Sequence, residues 1–251
     1  MQILSHIDVL GLDNVTKDQK FEVHKLIVCG QSGYFSQLFK HNWKVGQGRS
    51  SGYIQGRGRE SAAYCVTIQE VTDNAIRLEE DDPRAVEAMV HFMYGFNYDS
   101  SGSDRGRTSP MLFNVNVYQT GDKYDIPKLK EQAKEKFTVA LKNCWEMDDF
   151  PVAIARVYST TVASDRGLRD LLVDTCLEHI DRLLENDDFK QVLRETLDFA
   201  ADLVQYYRSS IPTYRCPNQY CRHEWSIKCS AKINHCPLCS FKQDWSGHVK
   251  K

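Results

Sequence analysis

Five of the chain's nine cysteines fall within the 28 residues from Tyr214 to Phe241. Cys216 and Cys221 are spaced C-x4-C, Cys236 and Cys239 C-x2-C, and fourteen residues separate the pairs. Three chemistries use clustered thiols: disulfide crosslinking, thiol–disulfide exchange and metal ligation. The opening "MQILSHIDVLGLDN" lacks a basic stretch followed by an apolar run. The expected compartment is therefore the reducing cytosol or nucleus, where disulfide frameworks are rare. Redox C-x2-C pairs begin a helix within a thioredoxin-like βαβ unit, a setting the sequence around Cys236 does not provide. Metal ligation is left. Four thiolates from two short loops close a tetrahedral shell around zinc and leave no position for a reacting water. The expected site is structural zinc on Cys216, Cys221, Cys236 and Cys239. The C-x4-C loop is wider than the commonest knuckle, which leaves Cys229, His223 and His235 open as replacement ligands.

The segment that positions these cysteines, residues 214–246, is too short to sustain an apolar core. A structural zinc contributes on the order of 10–16 kcal/mol of apparent folding energy in finger peptides, so metal is expected to decide whether this ribbon folds. Pro217 and Pro237 follow the first cysteine of each pair, and Trp225 and Trp245 are placed to cover the site. Elsewhere the chemistry is thin. A glycine-rich phosphate loop, a nucleophile elbow and a zinc-protease helix are all missing from the sequence, so no enzyme is expected. Cys29, Cys65, Cys144 and Cys176 read as small apolar residues, and His24 as a structural histidine.

The chain has 251 residues, 41 % of them hydrophobic, with 32 basic against 34 acidic side chains. That balance supplies a core but no global field for nucleic acid or an anionic membrane, and no run of eighteen apolar residues encodes a span. Alternation in "QKFEVH" predicts a strand ending near Val23, with a short helix after it. Ser32 is expected to cap a second helix carrying Tyr34, Phe35, Leu38 and Phe39. A strand through Ile76 and Leu78 leads to Asp82 as N-cap and Pro83 at the first helical position, with Val86, Met89, Val90 and Met93 facing inward until Gly95. Residues 45–69, with five glycines and three arginines, and residues 100–110 read as flexible segments. From Leu112 the pattern is helical: a helix to about Tyr124, Asp125 as cap of the next, then helices over 150–158, 165–184, 187–193 and 196–207. Met89, Met93, Trp145 and Phe199 are expected in the core, and residues 209–212 form a hinge to the cysteine segment.

Read in order, "FEVHKLIVCGQSGYFSQLF", "IRLEEDDPRAVEAMVHFMYGFNY" and "VYQTGDKYDIPKLKEQAKEKF" resemble a BTB/POZ domain of the type found in fungi. Val23-His24-Lys25, Ser32-x-Tyr34-Phe35, Asp81-Asp82-Pro83 and Asp122 to Ile126 match the motifs of that family. The resemblance covers residues 8–138, and the helices of residues 139–210 look like the extension that follows it in that group. It implies an α+β fold with a small sheet flanked by helices, homodimerisation, with Asp8-Val9 able to supply the family's acidic-apolar pair in its first strand, and work as a protein-interaction module. In some members a hydrophobic-x-Glu segment docks a cullin scaffold. Here Trp43-Lys44 is followed by Val45, and removing residues 45–69 joins it directly to Glu70. Trp43 and Glu70 are thus the candidate docking residues. A retained intron, beginning at a GT of the Val45 codon and ending at the AG of a Gln69 codon, is one account of the insert; a tolerated surface loop is the other.

The expected function is that of a dimeric adaptor, with a cullin-type ubiquitin ligase scaffold and a protein client as partners. The alternative is a transcriptional regulator that reads nucleic acid with the ribbon, where Arg215, Arg222, Lys228, Lys232, Lys242, Lys250 and Lys251 outnumber Glu224 and Asp244.

Overall fold

A computed structural model describes residues 9–14, 19–42, 71–72, 75–78, 81–98, 109–211, 213–226 and 235–242. Trp43, Glu70, residues 45–69, Pro212, Cys229 and Trp245 lie outside them, as does most of the 100–110 segment. Four strands, β1 (Val9–Asn14), β2 (Gln19–His24), β3 (Val71–Thr72) and β4 (Ala75–Leu78), form one sheet in the order β2-β1-β4-β3. β1 runs antiparallel to β2, with Leu10 opposite Val23, and parallel to β4, with Leu12 opposite Ile76. Two helices, α1 (Lys25–Gln31) and α2 (Gly33–Asn42), leave β2 as the sequence predicts.

Helix α3 (Pro83–Met93) begins as expected: the Asp82 carboxylate accepts the amides of Arg84 and Ala85, each at 3.0 Å, and Pro83 occupies a position needing no amide donor. Met89 and Met93 are buried. Helix α4 (Pro110–Lys123) starts earlier than the composition suggested. Ser109 caps it by accepting the Met111 amide, and Pro110 is its first residue, so these two belong to the helix and not to the preceding loop. Because α4 packs on α3, on α5 (Pro127–Cys144) and on α6 (Asp149–Thr160), it is buried on most of its circumference. Gly121 permits this: a Cβ there would stand 2.8 Å from the Lys130 backbone nitrogen of α5.

Asp125 does not cap α5; Ile126 occupies that position without a side-chain bond. Instead Asp125 ends α4 with φ +49°, while the Ile126 amide reaches the Gly121 carbonyl at 2.8 Å and the Asp125 amide reaches Asp122. This is a Schellman closure, in which a left-handed residue turns the chain and satisfies the last carbonyls.

The expected helix 165–184 is two helices, α7 (Arg166–Glu178) and α8 (Ile180–Leu183), broken at His179. His179 stacks on Trp145, with ring centroids 3.7 Å apart. Trp145 is accordingly half-buried at the edge of the core, not inside it. Helices α9 (Asp187–Glu195) and α10 (Leu197–Ser210) follow, and α10 buries Phe199 completely. One apolar cluster runs without interruption from Val23 to Phe199, and α5 continues through residue 138. The architecture is mixed α+β, mostly helical. A second, separate cluster surrounds Cys216 and Cys236 beside a two-stranded sheet of β5 (Thr213–Arg215) and β6 (Glu224–Ser226). Among the described residues no helix is long and apolar enough to cross a membrane.

Candidate metal centre

The two cysteine loops are built on one plan. In the first, the Cys216 amide donates to the His223 carbonyl at 2.9 Å; in the second, the Cys236 amide donates to the Phe241 carbonyl at 2.9 Å. Each acceptor lies two residues beyond the loop's second cysteine. One residue further out, Arg215 pairs with Glu224 and His235 with Lys242, so both loops are closed by the same antiparallel bridge. Arg222 and Ser240, which follow the second cysteines, both adopt left-handed backbone, at φ +47° and +57°. The two extra residues of C-x4-C are absorbed by Asn218. Its side-chain oxygen accepts the Tyr220 amide and its carbonyl accepts those of Cys221 and Arg222, all at 3.0 Å.

This folding brings the four sulfurs together. All lie within 4.8 Å of one another. Cys216 Sγ is 3.7 Å from Cys239 Sγ, and Cys221 Sγ is 3.9 Å from Cys236 Sγ, so each close pair joins one loop to the other. A regular tetrahedron with metal–sulfur bonds of about 2.3 Å has edges of about 3.8 Å. The two separations are opposite edges of such a figure, and both are far longer than the ~2.0 Å of a disulfide. Four sulfurs at these separations could hold a metal ion.

The close approach of the sulfurs also sets their electrostatics. Burial pushes the Cys216 thiol up to about 12, against the Asn218 amide, and the sulfurs of Cys239, Cys236 and Cys221 add to the rise. Burial acts on Cys236 too, but the amides of Cys239 and Leu238, together with the sulfurs of Cys239 and Cys216, outweigh it and bring that thiol down to about 7. Packed together, the Cys216 and Cys236 thiols are pushed in opposite directions. A cation between them would draw all four toward the thiolate at once. Trp225 and Tyr214, opposite one another on β6 and β5, pack against the cysteine cluster and shield it from one side.

The cluster contains the four predicted cysteines and neither of the two histidines raised as replacements. His223 contributes its carbonyl to the first loop while its ring lies near Trp225, and His235 is exposed at the second bridge. Cys229 and the docking candidates Trp43 and Glu70 lie outside the described residues. Sequence reasoning missed Asn218, Arg222 and Ser240. Asn218 carried the signal of a turn-forming residue, whereas the shared left-handed backbone of Arg222 and Ser240 emerges only when the two folded loops are compared.

The other motif residues are spent on packing. Ser32 donates its hydroxyl to the Tyr124 carbonyl at 2.5 Å and accepts the Phe35 amide; the Phe35 and Tyr124 rings stack at 5.2 Å. Asp81 accepts from the Tyr124 hydroxyl at 2.6 Å and from Lys123 at 2.8 Å. His24 is tied through its amide and its Nδ1 to the Tyr94 hydroxyl, each at 2.8 Å, and Lys25 lies over the Phe39 ring.

Comparison with protein-family models and with curated proteins finds no match to this chain.

Proposed function

We propose that the protein is an interaction adaptor: a BTB/POZ-type docking body extended by helices, ending in a ribbon held by structural zinc. The observation that carries the reading is the interlock of the segments that resemble that family. Ser32 and Phe35, Asp81, and Lys123 to Asp125 come from three separate stretches and meet at one corner, where their polar groups satisfy each other. A polar network closed in this way fixes geometry and leaves its carboxylate and hydroxyls committed. Zinc is the metal of choice because a closed tetrahedral set of thiolates selects it and supplies fold in place of reactivity. In this reading the body dimerises and docks a cullin through Trp43 and Glu70. The form lacking residues 45–69 is expected to sediment as a dimer and to retain a cullin from cell extract. Cullin retained by neither form removes the ubiquitin-ligase part of the reading.

A second reading, a nucleic-acid-associated regulator, is favoured by one feature of the ribbon. Tyr220 is 97 % exposed beside Arg222, in a tail where seven basic residues face two acidic ones from Thr213 onward. Aromatic rings among cations suit single strands. Salt-sensitive retention of the full chain on a single-stranded oligonucleotide, lost in Tyr220→Ala, would support it; absence of retention at low salt would remove it.

A further inference from the structure

Between the α5–α6 turn and the α8–α9 turn lies a cleft of about 290 Å3. Phe150, Leu183 and Phe189, none more than 5 % exposed, line it with apolar surface. Trp145 is another part of the lining, and its ring is held by the His179 stack at 3° between planes, so the wall is set before any ligand arrives. Met147, 57 % exposed, adds apolar surface to the cleft. The volume lies at the small end for ligand pockets, about 300–1,000 Å3, and suits one or two side chains.

Charge identifies the occupant. Residues 145–149 and 181–188 carry seven carboxylates and a single cation, Arg182. Asp149, Asp187 and Asp188 have a reason of their own, since they stand in the first turns of α6 and α9, where the helix dipole favours negative charge. Glu146 and Glu185 have no such role, and both line the cleft. Glu146 meets Arg182 at 3.5 Å with both side chains more than half exposed, a pair that holds neither strongly. Glu185 has no cationic partner among the described residues. Asn186 is committed, accepting the Phe189 amide as the cap of α9.

We propose that this cleft docks a basic peptide segment bearing one bulky apolar side chain. The apolar group fills the space over Phe150, Leu183 and Phe189, and flanking lysines or arginines lie against Glu146 and Glu185. The proposal rests on the adaptor reading and names the surface that takes the client.

The test uses the full zinc-loaded chain and three labelled peptides of equal length: Lys/Arg-rich with a central Trp, the same with Ala at the centre, and Glu-rich with Trp. Fluorescence anisotropy is expected to show saturable binding of the basic Trp peptide, at least tenfold tighter than either control and weakening as salt rises. Glu146→Lys with Glu185→Lys is expected to lower that affinity tenfold or more without shifting the melting temperature, and Arg182→Glu to raise it. Equal binding of the Ala peptide, unchanged binding by the double variant, or no saturable binding of the basic Trp peptide overturns the proposal. Peptide binding that survives while dimerisation and cullin capture fail would remove the adaptor role and leave the cleft; the reverse pattern removes the cleft alone.

Discussion

Arg222 and Ser240 hold the backbone that aims Cys221 and Cys239 at the centre of the site, and neither is glycine. A left-handed conformation costs an L-residue roughly 1–2 kcal/mol, part of which glycine recovers against its larger unfolded-state entropy. Ser240→Gly is therefore expected to stabilise the ribbon by about 0.5–1 kcal/mol, read as slower loss of metal to a chelator; faster loss would contradict the loop geometry. The four clustered cysteines were legible in the sequence because metal ligation demands thiols at close spacing. The conformations that aim them were not, since arginine and serine carry no conformational signature. Asp125 misled in another way: an aspartate two residues before a proline suits an N-cap, and only the chain path of α4 into α5 shows it as a left-handed C-terminal residue.

Helices α4, α5 and α7 are joined by one carboxylate. Asp165 caps α7 through the Gly167 amide, accepts from the Tyr118 hydroxyl at 2.7 Å and pairs with Lys130 at 2.7 Å. Burial alone would raise its pKa; Lys130, Tyr118 and the Gly167 amide outweigh burial and hold it below its ordinary value of 3.8. A carboxylate lowered in the folded state contributes stability that is complete above its unfolded pKa and is lost as pH falls through the folded one. Asp165→Asn is expected to cost about 1.5–3 kcal/mol at neutral pH, the worth of charge-assisted bonds in a mostly buried site. The deficit should shrink below pH 3.8 as the wild type itself protonates. A deficit constant with pH, measured by denaturant unfolding, would show that the ion pair is not its source. At this scale the sequence was informative where caps and periodicity coincide, as at Asp82 and Pro83. It was silent at the α7–α8 break, because His179 is neither glycine nor proline and its stack on Trp145 is a contact between distant residues. The parallel pairing of β1 with β4 was equally illegible, since register between strands far apart in sequence leaves no local pattern.

Over the whole molecule, two separate apolar clusters share one chain, one in the α+β body and one around the tail cysteines. The body is held by a continuous apolar core and by close approaches such as Gly121 on Lys130 and Gly33 on Asp125, where an added Cβ would meet a carboxylate oxygen at 1.8 Å. Gly121→Ala is expected to destabilise that core by about 1–3 kcal/mol through forced separation of α4 and α5, seen as a lower melting temperature for the body with the ribbon's metal unaffected. The tail has an apolar cluster of few side chains, gathered around four cysteine sulfurs that could hold a metal ion. The most direct measurement is metal content by elemental analysis of the purified full chain beside Cys236→Ser. One zinc per chain in the wild type, and markedly less in the variant, is the predicted result; wild-type protein purified without chelators yet holding no stoichiometric zinc would contradict the account.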